Sequence, residues 1–209
     1  MADCGHPVFA WFFERLGPRA DARGTAERRR QLLTRAAGRV VEVGAGTGLN
    51  LPHYPPGAVT EVLAVEPDPH MFRRLALSIG DVPVPVKLRR ATADALHLGD
   101  GWADTVVMSL VLCSVPSQAG ALAEARRVLS LDGRILFFEH VRSESPGFAR
   151  LQDLGERGWG WFGGGCHPNR DTISAIRAAG FEIEELERFD EPGALLAKPH
   201  VLGVARPAR

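Results

Sequence analysis

The chain has 209 residues, 45% of them hydrophobic and 24% charged, and its 25 basic side chains balance 25 acidic ones. This length suits a single α/β domain, and the balanced charge argues against a nucleic-acid-binding surface. Three cysteines, Cys4, Cys113 and Cys166, are too few and too scattered for a disulfide framework, and no pair has zinc-knuckle spacing, so we expect a reducing cytoplasm and no metal ion.

The sequence also lacks the patterns of a membrane or secreted protein. No apolar run approaches the roughly 20 residues that span a bilayer, and the N-terminus lacks the basic-then-apolar order of a signal peptide. The short basic runs 28–30 and 89–90 are interpreted as solvated faces. A composition rich in Arg, Ala, Gly and Pro with only two lysines is typical of a GC-rich, bacterial genome.

Short β-branched runs alternate with longer helical patterns along the chain. The predicted strands are 39–43, 61–65, 84–88, 103–108, 134–140, 181–186 and 201–204. The predicted helices are 26–37, 70–78, 118–129 and 172–179, the last with Asp171 as N-cap and Gly180 as its end. The alternation predicts a seven-stranded, mainly parallel α/β sheet with helices on both faces. A short polar stretch, 187–199, joins the last two strands, so the last strand is predicted to run antiparallel.

We expect residues 1–209 to form one domain. Its parts are an N-terminal helical or lid region (1–37), a cofactor-binding half (38–145), and an acceptor lid with the C-terminal strands (146–209). Two aromatic-rich segments, 6–16 and 146–169, interrupt the alternation and are interpreted as lids over a site. Segment 6–16 also fits an amphipathic helix lying on a membrane or a partner, so peripheral membrane contact is an alternative.

The first strand ends in Glu42-Val43-Gly44-Ala45-Gly46-Thr47-Gly48. Glycines let the backbone of such a turn approach a ligand closely, although a tight turn without a ligand has the same pattern. Glu66 ends the second strand, where its carboxylate can accept hydrogen bonds from both hydroxyls of a ribose. The two features together predict an adenosine-bearing ligand.

The rest of the turn distinguishes between two such ligands. A dinucleotide site needs G-x-G-x-x-G at the start of a helix, but here the third glycine, Gly48, comes one residue early. Prolines at 52, 55 and 56 exclude a long helix after it. A phosphate-free cofactor therefore fits better. Asp94, after the third strand, is placed to accept a hydrogen bond from an adenine amine, or else is a surface turn residue.

These features, with the turn Asp132-Gly133-Arg134 before the fifth strand, resemble a Rossmann-like class I S-adenosylmethionine-dependent methyltransferase over roughly residues 38–190. The segments 48–55, 66–70, 110–115 and 138–141 are most similar to the branch containing microsomal thiol S-methyltransferases and bacterial phospholipid N-methyltransferases. The resemblance implies S-adenosylmethionine as cofactor. The expected cofactor contacts are Glu42, Gly44, Ala45, Gly46, Thr47, Gly48, Asn50, Glu66, Pro67, Met71, Ala93, Asp94, Ala95, Ser109, Leu110 and Ser114.

Methyl transfer is an in-line displacement, so alignment and exclusion of water supply most of the rate. A thiol is already partly ionised near neutral pH, whereas a hydroxyl acceptor needs a general base. His140, after the fifth strand, and His167, in the glycine-rich lid, are the candidate catalytic residues, and a capping or core role is the alternative for His140. Cys113 is interpreted as a buried packing residue.

The predicted function is methyl transfer to a small, lipophilic acceptor, with a thiol sulfur as first choice. A phospholipid amine and a quinone ring carbon are the alternative acceptors. Two hypotheses from other classes are an NAD-dependent oxidoreductase and a membrane- or partner-binding module.

Overall fold

The computed structural model describes residues 25–191 and 194–208. Its core is one seven-stranded sheet with the strand order β3-β2-β1-β4-β5-β7-β6. The strands are β1 (Gly38–Val43), β2 (Val59–Val65), β3 (Val86–Arg89), β4 (Ala103–Ser109), β5 (Leu129–His140), β6 (Phe181–Asp190) and β7 (Pro199–Pro207). All seven predicted strands are present, although the last three are longer than predicted.

Strands β1 to β5 pair in parallel, and β7 runs antiparallel to both β5 and β6. The predicted antiparallel last strand is therefore confirmed. In the register, Val43 is opposite Val65 of β2 and Met108 of β4, so these three strands end at one level. The sheet order reverses at β1, because β2 and β4 lie on its two sides. A ligand crevice is expected at such a switch point.

Five α-helices and two short 3₁₀ turns connect the described strands. The helices are α1 (Ala26–Leu33), α2 (Pro69–Leu77), α3 (Gln118–Val128), α4 (Pro146–Phe162) and α5 (Thr172–Ala178), and the 3₁₀ turns are Leu51–His53 and Leu195–Ala197. The Asp68 carboxylate caps α2 by accepting the N–H groups of His70 and Met71 at 2.7 and 3.0 Å. The predicted cap of α5 is confirmed, since Asp171 accepts the Ser174 N–H at 3.0 Å.

The two faces of the sheet carry separate apolar cores. Side chains of α3 and α5, such as Leu122 and Ile176, pack on one face together with Val41 and Phe137. Side chains of α1 and α2 pack on the other face, with Phe138 among them. Successive residues of each strand point to opposite faces, which explains why Phe137 and Phe138 enter different cores. The predicted placement of helices on both faces is confirmed.

Helix α4 occupies much of segment 146–169, which the sequence predicts only as a lid over the site. Its several glycines are unusual in a helix, so the sequence does not indicate one here. Gly155 has a packing role, because a Cβ atom there would lie 2.3 Å from Leu196 Cδ1. The buried Gln152 amide donates to the Pro168 and Leu196 carbonyls at 2.9 and 3.0 Å. The helix is thus tied to the two segments that follow it. Among the described helices, none is long and apolar enough to cross a membrane.

Candidate active site

A cavity of about 660 Å³ opens at the carboxyl ends of β1, β2 and β4. Its size is within the usual range for small-ligand sites. It contains most of the residues predicted from the sequence to hold the cofactor. The predicted residues that line it are Glu42, Gly44, Ala45, Gly46, Asn50, Glu66, Pro67, Met71, Ala93, Asp94, Ser109, Leu110 and Ser114.

The glycine turn after β1 forms one edge of the cavity. Gly44 and Gly46 have φ angles of +65° and +59°, a region that other residues rarely adopt. A Cβ atom on Gly44 would also lie 2.6 Å from Val111 Cγ2. The Ala45 N–H donates to the Val65 carbonyl at 3.0 Å, which fixes the turn to the end of β2. At Gly44, both the backbone conformation and the available space therefore require glycine.

Glu66 lies directly after β2 and is 6% exposed. Its Oε2 accepts the Gly46 N–H at 2.8 Å and its Oε1 accepts the Asp68 N–H at 2.9 Å. Burial raises the pKa of this carboxyl, while these two hydrogen bonds oppose the rise. Each carboxylate oxygen keeps a second lone pair, so the group can still accept hydroxyl donors of a ligand. This geometry fits the ribose role that the sequence predicts.

Glu42, on the adjacent strand β1, is a second buried acid of the cavity. Its two oxygens accept hydrogen bonds from Asn50 Nδ2 at 3.0 Å and from the Tyr54 hydroxyl at 2.8 Å. Burial raises the pKa of Glu42 to about 7, with the two hydrogen bonds acting against the rise. The network joins β1 to the turn that follows Gly48, and so holds the floor of the cavity.

Arg29 of α1 also lines the cavity, and the interpretation of run 28–30 as a solvated face is wrong for this residue. Arg29 is only 6% exposed, and its Nη1 donates to Asn50 Oδ1 at 2.9 Å and to Ser109 Oγ at 3.1 Å. Arg28 pairs with Glu187, and Arg30 pairs with Glu27 at the surface. The sequence offers no signal that separates the three arginines, because the helix they share has only a weak apolar face.

The loop after β4 forms a further wall, and it is held from the interior of the protein. Glu139 is fully buried, and its oxygens accept the backbone N–H groups of Val111, Leu112 and Cys113 at 2.8, 2.9 and 3.1 Å. Burial raises the pKa of Glu139 well above its usual range. At the start of the loop Leu110 has a φ of +59°, an unusual conformation for a branched residue that often marks a functional site.

Three predicted contacts are adjacent to the cavity in sequence but do not line it: Thr47, Gly48 and Ala95. The positive φ of Gly48, +88°, serves packing, because a Cβ atom there would lie 2.3 Å from Ser78 Oγ of the segment after α2. Two residues that were not predicted as contacts, Gly164 and Gly165, do line the cavity. Part of the predicted lid, segment 146–169, therefore lies at the site. The other predicted lid, segment 6–16, lies outside the described residues.

The two histidines proposed as catalytic lie behind the cavity wall and are not among its lining residues. His140 Nδ1 is 3.3 Å from Cys166 Sγ, and its ring packs edge-on against His200. His167 Nδ1 is 2.5 Å from Glu156 Oε1, and its backbone N–H donates to the Cys113 carbonyl at 2.7 Å. Cys113 is 1% exposed, as predicted for a buried cysteine.

The charges around the cavity suit S-adenosylmethionine better than a dinucleotide. The described lining contains the four acids Glu42, Glu66, Asp68 and Asp94 and the single base Arg29. S-adenosylmethionine carries a sulfonium and an ammonium group besides its carboxylate, so its net charge is positive. A pyrophosphate would instead need basic side chains or a helix N-terminus at the glycine turn. The fold and cavity define a class I S-adenosylmethionine-dependent methyltransferase.

Comparisons with known proteins agree with this class. Residues 41–137 match the family described as methyltransferase domain. The chain is 37% identical over 180 residues to human thiol S-methyltransferase TMT1B, covering 83% of this chain and 73% of that protein. It is 33% identical over 112 residues to phosphatidylethanolamine N-methyltransferase of Cereibacter sphaeroides, covering 52% of this chain and 54% of that protein.

A solved S-adenosylmethionine-dependent methyltransferase of Thermotoga maritima shares the fold, with a TM-score of 0.69, 22% identity, and coverage of 97% of this chain and 98% of that one. The protein belongs to the methyltransferase family that includes the thiol S-methyltransferases. It is an enzyme that uses S-adenosylmethionine as its cofactor. The alternative of an NAD-dependent oxidoreductase is thereby set aside.

Proposed function

We propose that this enzyme transfers the methyl group of S-adenosylmethionine to the thiol sulfur of a small, lipophilic acceptor. The observation that carries the proposal is the chemistry of the cavity lining. Its described residues include no histidine, lysine or cysteine. Three of its four acids, Glu42, Glu66 and Asp68, already accept hydrogen bonds from the protein. A hydroxyl acceptor needs a general base, whereas a thiol supplies its own thiolate. The similarity to human thiol S-methyltransferase supports the same choice.

The cofactor supplies an electrophilic methyl group on a positively charged sulfur. In the reaction, the acceptor sulfur forms a bond to the methyl carbon while the bond from that carbon to the cofactor sulfur breaks. The bonding electron pair stays on the cofactor sulfur, and the acceptor proton goes to solvent. The protein's contribution is alignment and exclusion of water.

Named side chains divide this work in our proposal. Glu66 accepts hydrogen bonds from the ribose, and Asp94 accepts one from the adenine amine. Arg29 binds the carboxylate of the methionine part, since it is the one cation of the described lining. The loop after β4 and the segment 146–169 close over the acceptor, within a single domain.

His140 and His167 act, in this proposal, by positioning the cavity wall. Their present contacts, with Cys166 and Glu156, point away from direct contact with a ligand. We also propose a cytoplasmic location and a bacterial source. Peripheral membrane contact would rest on segment 6–16.

The test is a methyl-transfer assay with radiolabelled S-adenosylmethionine and a series of alkyl thiols of different acidity. We expect kcat/KM to rise with pH through the pKa of each thiol, and the midpoint to move down when a more acidic thiol is used. Alcohols with the same alkyl chain are the matched controls and are expected to remain unmethylated. A pH-independent rate with thiols would contradict the proposal.

Two further acceptors belong in the same assay. Phosphatidylethanolamine in mixed micelles tests the amine alternative, which the similarity to the Cereibacter sphaeroides enzyme favours. A short-chain quinone tests methylation at carbon. Faster transfer to either acceptor than to every thiol would replace the thiol proposal.

A further inference from the structure

Two cysteines and a histidine meet behind the wall of the cavity. Cys113 lies in the loop after β4, His140 ends β5, and Cys166 follows the glycine-rich loop after α4. One ring nitrogen of His140 and the two sulfur atoms lie within 4.8 Å of one another. The separation of Cys166 Sγ from His140 Nδ1 is 3.3 Å. None of the three residues is among the described lining of the cavity, so the cluster makes none of the cofactor contacts described above.

These separations are close to those of ligands on one metal ion. Zn–S bonds of about 2.3 Å and Zn–N bonds of about 2.0 Å, set at tetrahedral angles, place ligand atoms roughly 3.5 to 3.8 Å apart. The cluster therefore needs side-chain movements of about 1 Å or less to reach that geometry. A disulfide would use only the two sulfur atoms and would leave the position of His140 unexplained.

The backbone around the cluster is fixed by bonds that do not depend on a metal ion. The Cys113 N–H donates to Glu139, and the Cys113 carbonyl accepts the His167 N–H. Arg170 Nη1 donates to the carbonyls of Leu112 and Val115, both at 2.7 Å. Both cysteines are buried, with exposures of 1% and 5%. The ligands are thus held together in advance, as a binding site requires.

The sulfur and nitrogen ligand atoms of the cluster favour one class of metal ion. Two sulfur atoms and an imidazole suit Zn²⁺ and similar borderline-soft ions, whereas Mg²⁺ and Ca²⁺ prefer oxygen ligands. Binding would release one proton from each thiol to solvent, and the two thiolates would then balance the charge of a divalent ion.

We propose that Cys113, His140 and Cys166 form a binding site for one divalent ion of the zinc class, with three protein ligands. The fourth tetrahedral position is left to water or to an exogenous ligand. The ion would join the loop after β4 to the loop that carries Gly164 and Gly165, and both loops line the cavity. Sequence spacing gives no hint of the site, because Cys166 and His140 are 26 residues apart and come from different elements. The expectation of no metal ion rested on the absence of a cysteine pair at zinc-knuckle spacing.

The test is metal analysis and cobalt substitution of the full-length protein under reducing conditions. We expect about one equivalent of zinc per chain after expression with zinc and desalting. Exchange for Co²⁺ is expected to give a thiolate-to-cobalt charge-transfer band and the intense visible bands of tetrahedral cobalt. Because these spectra come from the unaltered protein, they decide the question without any variant.

Variants then assign the ligands. Cys113→Ser and Cys166→Ser are each expected to weaken Co²⁺ binding by at least about 100-fold and to reduce the charge-transfer band. His140→Asn is expected to weaken binding while the thiolate band remains at saturating cobalt. Cys4→Ser is the matched control and keeps the full stoichiometry. Calorimetric binding of S-adenosylmethionine shows which variants remain folded.

Two outcomes would overturn the proposal. One is an unaltered protein that takes up no zinc or cobalt, or takes up the same amount after both cysteine substitutions. The other is a Cys113–Cys166 disulfide, seen as a loss of two titratable thiols, in metal-free protein kept under reducing conditions. Neither outcome depends on which acceptor is methylated, so failure here is distinct from failure of the thiol proposal.

Discussion

The Arg29 guanidinium donates to the Ser109 hydroxyl at 3.1 Å, which connects the N-terminal helix to the end of β4 at the floor of the cavity. The same nitrogen donates to Asn50, which in turn donates to Glu42. A cation on α1 is in this way placed among the acids of the cofactor site. Helix α1 is therefore part of the binding site as well as part of the core.

The first prediction concerns Arg29. Arg29→Ala is expected to weaken binding of S-adenosylmethionine by about 10- to 100-fold, because a charge-assisted hydrogen bond contributes about 1.5 to 3 kcal/mol. Arg29→Lys keeps the charge without the paired donors and is expected to be intermediate. Calorimetric titration measures both affinities. Arg30→Ala, on the same helix but at the surface, is the control. Equal affinities of the Arg29→Ala and Arg30→Ala variants for S-adenosylmethionine would show that Arg29 does not bind the cofactor.

The second prediction separates a ribose contact of Glu66 from its structural hydrogen bonds. S-adenosylhomocysteine and an analogue lacking the ribose hydroxyls are titrated into the unaltered protein and into Glu66→Gln. Removing the hydroxyls is expected to cost about 10-fold or more in affinity in the unaltered protein and much less in the variant, since hydrogen bonds to charged groups are the stronger ones. Glu61→Gln, in the strand β2 that precedes Glu66, serves as control. The same loss in both proteins would mean that Glu66 does not contact the ribose.

The third prediction follows from the crowding at Gly44. Gly44→Ala would have to adopt a φ of +65° and to displace Val111, whose Cγ2 lies 2.6 Å from the new Cβ position. We expect cofactor affinity to fall by at least about 10-fold, given a strain of roughly 1 to 3 kcal/mol at such positions. Gly57→Ala, where an added Cβ meets nothing within 4 Å, is expected to bind normally. Unchanged binding by both variants would show that the turn tolerates a side chain.

The fourth prediction concerns the pH dependence of stability and rests on Glu42. Its pKa is raised to about 7 in the folded protein, above that of the unfolded chain, so the folded protein holds the proton more tightly. The free energy of unfolding is therefore expected to fall as pH rises from about 4.3 to about 7, by on the order of 3 kcal/mol from this group. Urea unfolding of the cofactor-free protein across this range measures the fall.

Glu42→Gln is the variant for this measurement, because it cannot ionise and can still join the Asn50 and Tyr54 network. Its stability is expected to depend less on pH than that of the unaltered protein. Glu66 and Glu139 also have raised pKa values and contribute with the same sign in both proteins. The difference between the two curves is thus the measure of Glu42, and parallel curves would assign the pH dependence elsewhere.

Features set by neighbouring residues were predictable from the sequence. The strand, the glycine turn and Glu66 follow one another along a short stretch, and the cap of α5 by Asp171 is local as well. The antiparallel β7 followed from the short link before it. Features of this kind can be predicted because they depend only on the order of nearby residues and on backbone geometry.

Features that depend on the packing of distant segments were not predictable. Arg29 has the same residue type as its two neighbours, and only the position of α1 against β4 shows which of the three is buried. Helix α4 was not predicted, because glycine is typical of loops. Only the folded structure shows that Gly155 is needed in the helix to make room for Leu196. The cluster of Cys113, His140 and Cys166 needs three separate elements to be assembled. In each case the deciding contact is long-range.

The three hydrogen bonds that Glu139 accepts all come from backbone N–H groups of the loop after β4. The Glu139 carboxylate therefore holds the start of this loop, and Arg170 holds the Leu112 and Val115 carbonyls further along it. Substitutions at lining positions such as Val115 and Pro116 are expected to change the shape of the cavity while the backbone remains in place. If the loop lines the acceptor pocket as proposed, acceptor preference can change by point mutation at the lining without loss of the loop that forms it.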